Sequence, residues 1–197
     1  MMSLSLMPSS LAGRCCVAPP YAPTATGATP ATRLQGGHSF NSKDNDMADA
    51  DTLTLSLSTG ADVVIKLRPD LAPGDVERIA GLAREGFYDG VGFHRVIPGF
   101  MAQCGDPTGT GTGGSALPAL KAEFSSEPHI RGTCSMARTS NPHSANSQFF
   151  IFFDDAGFLD NQYTGWGQVE SGMEHVDALP VGDPPREPGK ILKATAA

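Results

Sequence analysis

Apolar and polar residues alternate with period two over many short stretches of the chain, and a helical period appears in only two places. Leu53–Ser58 and Val63–Leu67 alternate on either side of Thr59-Gly60, which predicts a β-hairpin. Between Asp70 and Gly86 the period changes. Val76, Ile79, Ala80, Leu82 and Ala83 recur at helical spacing, Pro73 stands near the start, and Gly86 can close the end. This segment is predicted as an amphipathic helix resting on a sheet. Gly92–Ile97 and Phe100–Cys104 are two further strands flanking a Pro98-Gly99 turn. Period two places Phe93, Arg95 and Ile97 on one face, with His94 pointing away, and sets Met101 and Gln103 on one face of the next strand. Gly132–Ala137 and Ser147–Phe153 read as strands around a polar loop, Arg138–Asn146. In the second of these, Phe149 and Ile151 share one face, and Gln148, Phe150 and Phe152 share the other. An apolar run from Tyr163 to Val169, a short helix within Ser171–Leu179 and a last strand at Lys190–Lys193 complete the pattern. There are no internal repeats.

The length of 197 residues allows one ordinary domain with a full core, and the 23 glycines and 16 prolines suit a loop-rich, mainly β chain. A formal charge of −7 argues against nucleic acid as a partner, because phosphate binding needs clustered Lys and Arg. No run approaches the ~18 consecutive apolar residues of a membrane helix, so no membrane partner is expected. Cys15, Cys16, Cys104 and Cys134 form no C-x-x-C pair, and no histidine spacing assembles a zinc site. Cys104 and Cys134 are read as small buried hydrophobes. The first 46 residues differ in kind from the rest. They are rich in Ser, Ala, Thr and Pro, and they carry Arg14, Arg33 and Lys43 but no acid before Asp44. A disordered extension is expected here, with the composition of an organelle transit peptide, which would send the protein to a plastid or mitochondrion. The other reading takes Met47 as the true start, because MADADTLTL runs straight into the first strand, and leaves the protein in the cytoplasm. The folded domain is expected to span 47–197.

Candidate chemistry gathers at Arg95. An arginine inside an apolar strand is costly to bury unless its head group is paired or opens into a cleft. Gln103 and Met101 nearby add an amide and a soft apolar surface, a mixture that suits a groove for peptide. Other chemistries are poorly supported. Gly109, Gly111 and Gly114 satisfy G-x-G-x-x-G, but the run leads to Leu117-Pro118 and opens no helix, so a flexible loop is expected there. No G-x-S-x-G is present, and Ser135 has no His or Asp at informative spacing. His94 reads as a hydrogen-bonded structural histidine. Asp154-Asp155 reads as a solvated turn without a partner for acid–base or metal chemistry. No cofactor and no metal are expected.

Three long motifs occur in one order: GFYDGVGFHRVIPGFMAQCGDPTGTGTGG, GTCSMARTSNPHSANSQFFIFF and FLDNQYTGWGQVESGMEHVD. From about Leu53 to Lys193 the chain resembles the cyclophilin family of peptidyl-prolyl cis-trans isomerases, in its short, bacterial type. The resemblance implies a mainly β fold, a closed eight-stranded antiparallel β-barrel capped by two α-helices. It also implies an active groove on the outside of that barrel. Carried over by motif position, Arg95 is the catalytic residue, and Phe100, Met101, Phe150 and Leu159 form the pocket for a proline ring. Gln103, Gly111, Ala137, Arg138 and Gln148 line the path of the peptide backbone. Trp166 is expected to pack in the core.

The residue types suit the chemistry. Rotation about an X–Pro bond is slow because twisting breaks amide resonance, a barrier of ~18–20 kcal/mol. No nucleophile or metal is required to lower it. An apolar pocket can hold the ring while the preceding carbonyl swings, and a fixed guanidinium can favour the pyramidal nitrogen of the twisted state. The chain departs from the commonest pattern at three groove positions: Phe158 replaces a tryptophan, Tyr163 a histidine, and Arg138 a frequent asparagine. Cyclosporin is therefore expected to bind weakly. Expected partners are proline-containing peptides and client proteins, unfolded or folded, met by a monomer that assists protein folding. The rival reading is a peptide-binding chaperone module whose catalysis is incidental.

Overall fold

The computed structural model describes residues 50–197. The expectations for residues 1–46 and for a start at Met47 lie outside the described residues. Eight strands, two helices and one 3₁₀ turn follow in order: β1 Thr52–Leu57, β2 Asp62–Leu67, α1 Pro73–Arg84, β3 Arg95–Ile97, β4 Met101–Cys104, β5 Thr133–Met136, β6 Phe149–Phe152, the 3₁₀ turn Gly157–Leu159, β7 Gly165–Ser171, α2 Met173–Asp177 and β8 Ile191–Ala196. All strand pairs are antiparallel, in the order β3-β4-β6-β5-β7-β2-β1-β8.

The alternation in the sequence becomes an inside and an outside. Leu53, Leu55 and Leu57 of β1 and Val63, Ile65 and Leu67 of β2 are all buried. Phe149 and Ile151 of β6 enter the same core, where the Phe149 ring meets Trp166 edge-on at 5.3 Å and Tyr88 at 5.6 Å. Cys104 and Cys134 are buried and unbridged, and burial pushes both thiols up from their ordinary pKa. α1 lies against β8 and β7, burying Val76, Ile79, Ala80, Leu82 and Ala83, and α2 lies against β2. Pro73 stands in the first turn of α1, where its missing N–H costs nothing. The cap comes from far along the chain: the Glu123 carboxylate accepts from the N–H groups of Gly74 and Asp75 at 3.0 and 3.2 Å.

The sheet departs from the expected closed barrel, because the two end strands, β3 and β8, form no ladder with each other. Their neighbourhoods pair at isolated bridges, Gly92 with Lys190 and Val96 with Gly182, and the Gly90 N–H also donates to the Ile191 carbonyl at 2.7 Å. Pro184, Pro185 and Pro188 lie between those two bridge points, and proline supplies no N–H to a ladder. β3 itself has only three residues. The sheet is an open half-barrel.

A second departure lies just before β3. Phe93 belongs to the main core, as does Val96, three residues on, so it does not share a face with Arg95 and Ile97. Regular pairing begins only at Arg95, and period two holds only where the backbone is paired.

Candidate active site

Two rows of side chains cross the outer face of β3, β4 and β6. Arg95 pairs with Gln103, and Gln103 with Phe150; one step along, Ile97 pairs with Met101, and Met101 with Phe152. Directly opposed residues share a face, so these six project together, away from the main core. Met101, Phe150, Phe152 and Ala156 form a separate buried cluster, against which Ile97, Phe100, Ala137, Leu159 and Tyr163 pack. Phe150 meets Tyr163 at 5.7 Å, and Phe100 meets Phe152 at 6.0 Å. Phe158 lies at the rim, 66% exposed, with its ring 5.7 Å from that of Phe100.

The polar residues form a continuous chain beside this apolar floor. Gln103 donates from Nε2 to Gln148 Oε1 at 2.9 Å, and Gln148 Nε2 donates to the carbonyls of Gly111 and Gly113 at 3.0 and 2.7 Å. Two cavities meet at Gln103 and Gly111. One, of about 440 Å³, runs past Ala137, Arg138, Asn146 and Gln148; the other, of about 290 Å³, holds His94, Arg95, Asp183 and Pro184. Of the twelve residues expected from the sequence, Arg95, Met101, Gln103 and Phe150 stand on this face, and Gly111, Ala137, Arg138 and Gln148 line the cavities. Phe100, Leu159 and Tyr163 pack against the outer cluster, and Phe158 lies beside Phe100.

Arg95 is paired as well as open to the groove. Its Nε donates to Asp183 Oδ2 at 3.0 Å, while 39% of the side chain stays exposed. Arg138 is held differently. Its guanidinium lies 4.3 Å from the centre of the Tyr163 ring, Nη1 donates to the Thr139 carbonyl at 2.8 Å, and Nη2 donates to the Gln162 carbonyl at 3.0 Å.

The glycine loop is built around Asp106, which is fully buried. Oδ1 accepts from the N–H and hydroxyl of Thr108 at 2.8 and 2.7 Å, and Oδ2 accepts from the N–H groups of Thr110, Gly111 and Gly113 at 3.1, 2.8 and 3.0 Å. Burial by itself would push this carboxyl up. The Thr108 hydroxyl and the N–H groups of Gly113, Thr108 and Gly111 outweigh it and hold the group well below the usual carboxylate range. Gly111 has φ +79°, and a Cβ there would press to 3.4 Å from the His94 ring. Gly105 is equally restricted, because a Cβ there would overlap the Ser147 carbonyl.

His94 departs from the expectation. It is 6% exposed, yet neither ring nitrogen has a hydrogen-bond partner among the described residues, and it lines the same cavity as Arg95. Burial pulls its pKa down, against the pull of Asp106 and Asp183 upward. The neutral ring acts as packing beneath Gly111.

His129 and Asp160 had no signal in the sequence, being 31 residues apart. Asp160 Oδ1 takes both the backbone N–H of His129 and its Nδ1, each at 2.8 Å, and the His129 carbonyl accepts from Ala156 N–H at 2.7 Å. The His129 ring also meets Phe152 edge-on at 5.4 Å. These bonds fasten both ends of the 3₁₀ turn that carries Phe158 and Leu159. They hold Asp160 below its ordinary pKa, the backbone N–H first and the ring second. Ser135 comes near this pair, since a Cβ on Gly165 would lie 3.7 Å from its Oγ and 4.0 Å from His129 Nε2. It is not a nucleophile. Ser135 is completely buried, and among the described residues neither its Oγ nor His129 Nε2 has a hydrogen-bond partner. Among the described residues no group of three or more His, Cys, Asp or Glu could hold a metal ion, and no helix is long and apolar enough to cross a membrane.

An apolar floor ringed by amides, with an arginine fixed at its edge, can bind an extended peptide and polarise one of its amides. The family model described as cyclophilin type peptidyl-prolyl cis-trans isomerase/CLD matches residues 52–196. A Brucella suis protein named probable peptidyl-prolyl cis-trans isomerase is 54% identical over 160 residues, covering 73% of this chain and 81% of the relative. Peptidyl-prolyl cis-trans isomerase B of Bacillus subtilis is 42% identical over 133 residues, covering 66% and 92%. A Cryptosporidium parvum cyclophilin type peptidyl-prolyl cis-trans isomerase, solved in the presence of the dipeptide Ala-Pro, superposes with a TM-score of 0.69 at 28% identity, covering 74% of this chain and 98% of that one. The chain belongs to the cyclophilin-type peptidyl-prolyl cis-trans isomerase family. Its function is that of the family, cis–trans isomerisation of peptidyl-prolyl bonds.

Proposed function

We propose that Arg95 is the catalytic residue of this isomerase and that the outer groove of β3, β4 and β6 is its substrate site. One observation carries the assignment: Arg95, Gln103 and Phe150 stand in a single cross-strand row, with the arginine engaged by Asp183 only through Nε. A guanidinium braced on one edge presents its remaining N–H groups at a fixed place, which is the requirement for stabilising charge that develops only in the transition state.

In this mechanism the proline ring enters the apolar cluster of Phe100, Met101, Phe150 and Leu159, with Phe158 and Tyr163 at its rim. Gln103, Gly111, Ala137, Arg138 and Gln148 guide the backbone on the other side. As the amide twists, resonance is lost and the proline nitrogen becomes pyramidal, its lone pair now localised on nitrogen. Arg95 donates to that nitrogen and lowers the energy of the twisted state. Gly111 takes a positive φ over the His94 ring, where a side chain would be strained and crowded, and so presents bare backbone to the groove. No bond is made or broken.

The substrates are proline-containing peptides and segments of client proteins, turned over by a monomer in which residues 47–197 carry the activity. Turnover of an X–Pro peptide, measured by exchange NMR in the absence of protease, tests this directly. A peptide that binds in the groove but does not exchange faster would leave a binding module in place of an enzyme.

A further inference from the structure

Arg138 differs from the other arginine of the groove. Arg95 has its carboxylate in Asp183, but among the described residues no ion pair involves Arg138. It is the only ionisable residue lining the 440 Å³ cavity, whose other walls are glycine, alanine, hydroxyl and amide groups. It is not a loose surface charge either. Two backbone carbonyls and the face of Tyr163 lock the guanidinium in place, and Nε is sealed from solvent without a partner. A cation fixed in advance loses little freedom when it binds an anion, and a partly dry wall strengthens the attraction. The chain as a whole carries a charge of −7, which repels acidic ligands, so any attraction for them must come from a local feature such as this one.

We propose that Arg138 makes this groove select peptides that carry an acidic side chain close to the isomerised X–Pro bond. The selection rests on the groove being the isomerase site. A Glu or Asp carboxylate reaching into the cavity meets the guanidinium edge and satisfies the uncompensated charge. A Gln side chain of the same shape supplies only a neutral acceptor, and a Lys side chain places like charges together. Arg138 is thus a specificity-determining residue for the known reaction.

The test uses X–Pro pentapeptides in which Glu, Gln or Lys replaces alanine at each position in turn, with exchange NMR giving kcat/KM. The expected result is a Glu-over-Gln advantage of roughly fivefold at one position, with Lys below Gln at the same place. Salt at about 0.5 M should bring that advantage toward one, because the pair is reachable by ions. Arg138→Gln should bring the Glu-to-Gln ratio to about one, and Arg138→Lys should keep part of the preference. Comparing two peptides on one variant cancels any general loss of turnover. Glu-to-Gln ratios within about twofold at every position, or a ratio that persists in Arg138→Gln, would overturn the proposal. Turnover of the alanine peptide without an acidic preference overturns this inference alone. No turnover of any peptide by the folded protein overturns the isomerase site and the selection together.

Discussion

Arg95 and Asp183, 88 residues apart, are joined by one hydrogen bond of 3.0 Å from Nε to Oδ2. The pair is too exposed to add much stability, since surface ion pairs contribute ~0–1 kcal/mol. Its consequence is orientation. With Nε taken, the outer edge of the guanidinium is left beside Gln103, and the proposed mechanism uses that edge to meet substrate.

Arg95→Ala is expected to lower kcat and kcat/KM together by about 10²–10³, the usual cost of losing one preorganised donor at a developing charge. Melting temperature should hardly change. Arg95→Lys should recover little, because an ammonium keeps the charge but loses the planar fork. Exchange NMR on an X–Pro peptide measures the rotation itself, and near-normal exchange by a folded Arg95→Ala protein would remove the assignment.

Asp160→Ala releases both bonds from His129 and loosens the turn bearing Phe158 and Leu159. We expect KM to rise roughly three- to tenfold with kcat little affected, the pattern of lost uniform binding. Asp160→Asn keeps an oxygen that can accept from both donors and should restore most of the affinity. Saturation kinetics on all three proteins check this. Equal defects in the Ala and Asn variants would show that charge, rather than the clamp, matters.

Asp106 provides a pH test. Its folded carboxyl lies well below the usual value, so its stabilisation is fully present above the unfolded pKa near ~3.9 and is lost as pH falls toward the folded one. Asp106→Asn turns an amide toward N–H donors and should cost about 1–3 kcal/mol at pH 7. Chemical denaturation at pH 7, 5 and 3 should show a constant difference between wild type and variant down to roughly pH 4, then a shrinking one. A difference that stays level or grows at pH 3 would contradict the carboxylate's role.

Phe158→Trp should tighten cyclosporin. The resemblance to Trp-bearing relatives implies an indole N–H donor that phenylalanine lacks, and a neutral hydrogen bond is worth about 0.5–1.5 kcal/mol, up to roughly tenfold in affinity. The rim position of Phe158 gives a larger ring room to settle. Calorimetric titration decides it; an unchanged Kd would place the limit at Tyr163 or Arg138.

The sequence by itself determined which residues face in and which face out wherever strands pair regularly. Phe149 and Ile151 went to the core and Phe150 and Phe152 to the groove, as period two requires, because a paired strand has no other way to place side chains. The order of three motifs also carried the family, and through it the expectation of twelve groove residues. Local patterns could not carry contacts between distant segments. Glu123 caps a helix that begins 50 residues earlier, Asp183 braces Arg95, and His129 clamps Asp160, none at a spacing that any periodicity encodes. Asp106 was the most legible of the missed residues, since an aspartate before a Thr- and Gly-rich run is a known turn former. His94 and Phe93 were misplaced for one reason: alternation was extended past the point where the backbone stops pairing. Closure of the sheet was likewise a tertiary matter: Pro184, Pro185 and Pro188 were legible as poor ladder residues, but that their segment lies between β3 and β8 was not.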